Sequence, residues 1–425
     1  MNSRRRNYRN SSSGYMKSVR TCRSALGPAH ERGVALLMVL LVVALVSVMA
    51  VTLSGRLQTT VLRTANFQQA EQTYWYWLSA EEIVRELLQR EISESDGVVH
   101  QQQMWYQQSK SDSIYPVDGG AIKGEIQDLQ SCFNLNSLRV EDGVSSGSGA
   151  GTAPPSNAPQ GNQSGANAGA PPATGANPGN TNTGGGATTG GSIAPDVLRE
   201  RRKAQLRMLL MATDENMEPY AADVIVDSLA DWLDSDDDID GSYGAESVDY
   251  QSLQFPYRAA NSWLVHVSEL RLVRGVTARI YNQIKPYVCV IPRDNTLKLN
   301  INTVAKNQPE LLQAVTVGAM SRGDAASFLA SRRQDGYESM DDARNNGALN
   351  DAATRGPRPN FGGGVTPAGV TAQTIGGALD DLDVKSKYFQ LNAKIAYGDL
   401  VMAAESQFLI TSETAEILYR GAGEP

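Results

Sequence analysis

Between Arg32 and Arg56 the chain carries no charged side chain, and residues 34–53 read VALLMVLLVVALVSVMAVTL. Twenty such residues form a helix about 30 Å long, the thickness of a bilayer's hydrocarbon core. A buried helix of a soluble domain seldom runs this far without a polar face. A secretory signal peptide would have a shorter apolar region followed by a small-x-small cleavage site. Here no Pro or Gly breaks the run before Gly55, so the segment is read as a retained membrane span. The helical pattern continues through residues 56–90, with apolar side chains at Leu57, Val61, Leu62, Trp77, Leu78, Ile83, Val84, Leu87 and Leu88. The expectation is one helix of up to 57 residues, lipid-soluble in its first third and amphipathic beyond. Trp75 and Trp77 lie past the span and are read as packing residues.

Charge divides the chain at the same place. Residues 1–33 carry eight Lys or Arg against one acid, Glu31, a surplus of +7. The whole 425-residue chain carries −8, so the remainder carries −15. The positive-inside rule keeps the basic head in the cytoplasm and sends the acidic body across the membrane. A body of that sign lacks the basic footprint that phosphate neutralisation requires, which argues against nucleic-acid binding. Three His and three Cys leave little material for a zinc site or a nucleophile–His pair, and no catalytic set emerges. His266 is read as structural.

Beyond the long helix, residues 98–104, 122–126 and 132–135 read as short strands. Residues 143–192 contain no Asp, Glu, Lys or Arg and are dominated by Gly, Ala, Asn, Thr, Ser and Pro. Such a stretch buries too little apolar surface to offset its ordering entropy and reads as a flexible linker. Helical patterning resumes at 196–211 and 219–233, then at 265–272, 277–284, 309–316 and 324–333, with short extended runs at 287–291 and 297–301. Residues 345–377 read as a Gly- and Pro-rich loop. The end returns to strands at 388–397, 401–410 and 417–420. Strands split by a helical middle imply an α+β fold with an inserted helical domain. The middle also echoes itself. FNLNSL at 133–138 matches LNINTV at 299–304, and each precedes helical sequence, which suggests two related helical lobes.

The stretch from Asp231 to Tyr250, DWLDSDDDIDGSYGAESVDY, concentrates acid. Asp236, Asp238 and Asp240 fall at positions 1, 3 and 5 of an EF-hand-like pattern, with Gly241 at position 6. Position 12 is Ser247, and Glu246 comes one residue early, so the loop is not a standard EF-hand. Massed carboxylates repel one another unless solvent or a cation screens them, and all-oxygen donors favour Ca²⁺. The candidate ligands are Asp234, Asp236, Asp238, Asp240, Glu246 and Asp249.

At Arg32-Gly33-Val34 a basic leader ends in Gly and a hydrophobic helix begins, which resembles a prepilin peptidase site. Pilins and pseudopilins nearly always carry Glu as the fifth residue after the cut, whereas here that residue is Met38. Its absence is typical of the minor pseudopilin K family of type II secretion systems. Further motifs resemble that family: Asp231-Trp232-Leu233-Asp234, Ala259-Ala260-Asn261, VSELRLVRGV at 267–276, Pro286-Tyr287-Val288 and Leu299-Asn300-Ile301-Asn302-Thr303. The match covers nearly the whole chain after Gly33, with 143–192 an insertion.

The resemblance implies several things. The peptidase would cut after Gly33 and N-methylate Val34. The fold would be type IV pilin-like, a long helix on an antiparallel sheet with a large inserted α-helical domain of SAM-like or helix-hairpin-helix-like lobes. Calcium would occupy the acidic loop as a structural ion. The chain would be a non-enzymatic inner-membrane protein facing the periplasm, assembling with minor pseudopilins I and J, and also with H and the major pseudopilin G, at the tip of a pseudopilus. It would initiate assembly and support export of folded proteins across the outer membrane. Met38 would determine the tip position, because a subunit without the Glu needs no earlier subunit's terminal amine to neutralise it. In an oxidising periplasm, Cys132 and Cys289 either form a disulfide or remain two free thiols, Cys22 being lost with the leader. Residues 299–343 also resemble helix-hairpin-helix domains, yet Thr316-Val317-Gly318-Ala319-Met320 lacks their Gly-apolar-Gly turn, and a protein-binding role is the expectation. The rival readings are a membrane-anchored DNA-uptake protein, a type IV pilus minor pilin and an anchored periplasmic enzyme.

The expected division is a leader at 1–33, a membrane part at 34–55, a first pseudopilin part at 56–138 and the insertion at 143–192. An α-helical domain at 193–343, a loop at 344–383 and C-terminal strands at 384–425 follow.

Overall fold

The computed structural model describes residues 31–111, 113–140, 194–358 and 376–423, with side chains from Val34 onward. The basic part of the leader, Cys22 and the 143–192 insertion lie outside the described residues. The chain divides into two compact units, Met1–Gln68 and Gln69–Pro425. Helix α1, Glu31–Glu94, contributes to both. In the first unit the apolar side chains of 34–53 are exposed, and this is the one helix among the described residues long and apolar enough to cross a membrane.

In the second unit α1 becomes amphipathic. Thr73, Trp77, Glu81, Leu88 and Ile92 are buried at helical spacing. Helix α2, Met104–Lys110, follows, then strands β1, Tyr115–Val117, and β2, Gly120–Asp128. Next come the two-residue strand β3, Phe133–Asn134, and helices α3, Pro195–Thr213, α4, Pro219–Leu233, α5, Ser247–Gln251, and α6, Ala278–Ile284. Strands β4, Val288–Cys289, and β5, Leu299–Asn300, precede helices α7, Pro309–Val315, α8, Arg322–Ser331, α9, Met340–Ala343, and α10, Gly347–Arg355. The chain ends in β6, Leu382–Asp383, β7, Tyr388–Tyr397, β8, Leu400–Ile410, and β9, Ala415–Ala422.

The main sheet has the order β1-β2-β7-β8-β9 and is antiparallel throughout. β7 and β8 turn through two residues, the first being Gly398 at φ +56°, the position where a II′ hairpin turn favours glycine. Leu391, Ala393 and Ile395 face α1 and form one core with Trp77, Leu88 and Trp105. Trp77 donates from Nε1 to Ser406 Oγ at 2.7 Å. Trp75, the other tryptophan read as packing, is exposed.

Everything between β2 and β7 is an excursion from this sheet, with its own core running from Phe133 to Val384. It contains two small parallel ladders, β3 with β4 and β5 with β6. Each begins with the apolar-Asn pair of the sequence echo. Asn134 Oδ1 accepts from Asn136 N at 3.2 Å, and Asn300 Oδ1 accepts from Asn302 N at 2.9 Å. A disulfide joins Cys132 to Cys289, Cα atoms 5.8 Å apart, at the foot of the first ladder.

Three segments differ from the sequence reading. Residues 98–104 form no strand. Val98 makes a single bridge to Lys385, and the chain turns into α2, whose first amides at Met104 and Trp105 donate to the Glu91 carboxylate at 2.9 and 3.3 Å. Residues 265–272 form a short 3-10 turn, Val267–Leu272, with His266 as its cap, rather than an α-helix. The stretch 344–383 is not all loop: Asn346 caps α10, which buries Leu349 and Ala352 in the helical core, and β6 follows. Residues 359–375 lie outside the described residues.

Candidate metal centre

Helix α4 buries one face through Ile225, Leu229, Trp232 and Leu233. Asp231 lies on that helix near its C-terminal end, and Asp234 is the residue that caps it. Glu246 caps the N-terminus of α5, where its amide donates to Asp249 Oδ2 at 3.2 Å. The loop between them folds back so that ligand oxygens of Asp231, Asp234 and Glu246 all lie within 4.8 Å of one another. Asp231 is 0% exposed and Glu246 2%. Asp231 Oδ1 accepts from Asp240 N at 2.9 Å, whereas Asp231 Oδ2 and Asp234 Oδ1 are buried without a hydrogen-bond partner.

Buried, unpartnered carboxylate oxygens are costly unless a proton or a cation neutralises them. Burial pushes Asp231 up to about 6. Burial, then the charges of Asp236 and Asp231, pushes Asp234 up to about 7. Burial, then the charges of Asp231 and Asp234, pushes Glu246 up to about 8. The Lys203 charge offsets the burial of Asp231 only in part, and its ammonium bonds Asp227 and Asp240 at 3.1 Å each. An all-oxygen, acid-only donor set of this kind fits a hard divalent cation such as Ca²⁺.

Glycine makes the approach possible. A Cβ at Gly244 would collide with Asp231 Oδ2 and lie 2.8 Å from the Ile239 side chain. Asn261, at φ +43°, holds the loop from outside, donating to the Asp236 carbonyl at 2.6 Å and to Asp237 Oδ1 at 3.1 Å.

Of the six ligands expected from sequence, the structure brings Asp234 and Glu246 together. Asp236 and Asp238 are exposed, with Asp236 Oδ1 accepting from Asp238 N at 3.0 Å. Asp240 supports the site through its amide, and its carboxylate faces Lys203 and Arg199. Asp249 closes the α5 cap and lies 3.7 Å from Arg274. The sequence reading omitted Asp231. Its signal was the Asp231–Asp234 spacing, which places both acids on one helix face. Gly33 and Val34 lie within α1, and Val34 and Met38 are exposed on it.

Two family models, both described as type II secretion system protein K, match residues 131–293 and 299–360. A type II secretion system protein K from Aeromonas hydrophila is 33% identical over 393 residues, covering 92% of this chain and 96% of the relative. One from Pectobacterium carotovorum subsp. carotovorum is 28% identical over 93% and 97% of the two chains. These matches define a component of a type II secretion system. The chain belongs to the protein K family of that system. A chain in the crystal structure of the GspK-GspI-GspJ complex from enterotoxigenic Escherichia coli shares the fold, with a TM-score of 0.59 and 23% identity over 85% of this chain and 100% of that one.

Proposed function

We propose that this protein is the minor pseudopilin at the tip of a type II secretion pseudopilus, where it starts assembly and supports export of folded proteins from the periplasm across the outer membrane. The observation that carries the tip position is Met38 on an exposed apolar helix. A carboxylate there would be buried once helices pack, and an unpaired charge in low dielectric is very costly. A subunit lacking it needs no predecessor and can be first in the fibre. The inserted helical domain agrees, since a wide head would obstruct subunits stacked above it.

In this reading the prepilin peptidase cuts after Gly33 and methylates Val34, and α1 stays in the inner membrane until assembly. The partners are minor pseudopilins I and J, then H and the major pseudopilin G. The solved complex of GspK with GspI and GspJ supports the first two. A structural Ca²⁺ sits on Asp231, Asp234 and Glu246, with Asp236, Asp238, Asp240 and Asp249 in the surrounding loop.

The test is co-purification from detergent with I and J, together with immunogold labelling of fibres. One label at one end and retention of I and J are expected, and Met38→Glu should still assemble. Label along the whole fibre would refute the tip position.

A further inference from the structure

A groove of about 420 Å³ lies where the outer face of the main sheet meets the first helical lobe. Strand register builds its floor. Gln127 on β2 pairs with Gln390 on β7, which pairs with Gln407 on β8, and Asn392 pairs with Glu405 one step along. The residues that alternate with them, including Ile126, Leu391 and Phe408, are in the core against α1, so these five share the opposite face. The rest of the lining comes from the lobe: His266, Val267, Lys285, Pro286, Val288 and Val290.

Part of the floor is satisfied internally. Gln407 Nε2 donates to Gln390 Oε1 and to Glu405 Oε1, each at 3.1 Å, and Gln390 Nε2 donates to Asn392 Oδ1 at 3.0 Å. The Gln127 carboxamide, Asn392 Nδ2 and Lys285 Nζ make no hydrogen bond among the described residues. Glu405 Oε2 stands 3.7 Å from His266 Nε2. The groove therefore offers free donors beside free acceptors, with its acid and its imidazole opposed, and it favours no single sign of charge.

We propose that this groove binds a neutral saccharide, with Gln127, Asn392 and Glu405 reading its hydroxyls. Each hydroxyl both donates and accepts, which matches Asn392 and Glu405, directly opposite each other at the roughly 4.8 Å strand spacing, and Gln127 on the diagonal from Asn392 at about 7–8 Å. Val267, Val288 and Val290 face the C–H side of a sugar ring. An extended peptide fits less well. β7 and β8 have neighbours on both sides in the sheet, and on the outer edge of β2, which β1 covers only at 120–122, Ser109 Oγ already bonds the Ile126 carbonyl at 3.0 Å and the Ile126 amide at 2.8 Å, so a peptide backbone finds little free edge beside the groove. The saccharide could be a cell-wall glycan, which is N-acetylated, or a glycan carried by an exported protein. The inference goes beyond the assembly role and does not depend on it.

The test is calorimetric titration of the full chain in detergent with chitotetraose and with cellotetraose, which differ in the N-acetyl group. Saturable binding of at least one is expected. A preference for chitotetraose assigns an N-acetylated glycan, and a preference for cellotetraose one without the N-acetyl group. Gln127→Ala and Asn392→Ala should each weaken binding about three- to tenfold, the scale of one hydrogen bond, with the melting temperature unchanged. Gln127 is exposed, so its variant should fold even if the other does not. Failure of both saccharides to saturate at millimolar concentration, or binding that Gln127→Ala leaves intact, would overturn the proposal.

Discussion

Asn136 grips Leu264 at both ends: its Nδ2 donates to the Leu264 carbonyl at 3.1 Å, and its Oδ1 accepts from the Leu264 amide at 2.9 Å. Asn302, its counterpart in the sequence echo, does the same to Tyr337 at 2.9 and 2.8 Å. Both asparagines are buried. A side-chain carboxamide thus replaces a missing strand in each lobe, satisfying the donor and acceptor of one buried residue. Gly336, at φ +73°, makes room in the second lobe, since a Cβ there would lie 2.7 Å from Asn302 Cγ.

Asn302→Asp keeps the shape and loses the donor. It should destabilise the protein by about 1–3 kcal/mol, the cost of leaving a buried carbonyl unpaired. Urea denaturation of the full chain checks this, and a variant as stable as the parent would show that the clamp is idle.

The Cys132–Cys289 bridge spans 157 residues of sequence. Chain entropy gives such a crosslink about 4–5 kcal/mol. Replacing both cysteines with alanine should lower the unfolding free energy read from urea denaturation by a comparable amount, and reductant should then have no further effect on the double variant.

Asp128 is buried and is held by Thr303 Oγ1 at 2.6 Å, Ser386 Oγ at 2.7 Å and Gln130 N at 2.8 Å. Burial nonetheless outweighs these donors and pushes it up to about 6. Its folded value exceeds its unfolded one, about 4, so its contribution is fully present below pH about 4 and is lost as pH rises through about 6. Asp128→Asn removes this slope, so the parent's stability relative to the variant should shrink between pH 4.5 and 7.5. A difference constant with pH, read by thermal melts, would refute the assignment.

Ca²⁺ bound at Asp231, Asp234 and Glu246 as proposed would stabilise the native state by mass action, about 2.7 kcal/mol at a hundredfold excess over Kd. Chelator should lower the melting temperature and Ca²⁺ restore it. The double variant Asp231→Asn, Glu246→Gln should lose the response, as should Gly244→Ala. A melting temperature blind to both chelator and Ca²⁺ leaves a proton as the partner of these acids.

Gly33→Val should leave a precursor longer by the 33 residues of the leader, seen by electrophoresis. Mature-size protein from that variant would rule out peptidase cleavage at this site.

Much of this fold is legible in the sequence because its signals are periodic. The alternation at 388–397 places β7 with the bounds the structure has, and the uncharged run at 34–53 declares the helix without help from packing. The echo at 133 and 299 is visible as letters and returns as two ladders. What could not be read is set by distant partners. α2 exists because Glu91 faces its first amides, and α10 because Asn346 caps it and Leu349 finds a core. In the acidic loop, counting from the first Asp of an EF-hand pattern leads into solvent at Asp236 and Asp238. The buried pocket begins five residues earlier, at Asp231, and burial is a tertiary fact.

β2 and β7 lie side by side in register, Asp128 against Phe389, yet the whole helical domain is made between them. In a chain delivered from its N-terminus, β2 is therefore an unpaired edge until the last strands arrive. Long-range pairing of this kind is slow and leaves an edge open to other strands in the meantime. The helical domain must gather itself first, and the Cys132–Cys289 bond, once made, shortens the gap that remains. Completion of the sheet then reports that the entire polypeptide has been delivered.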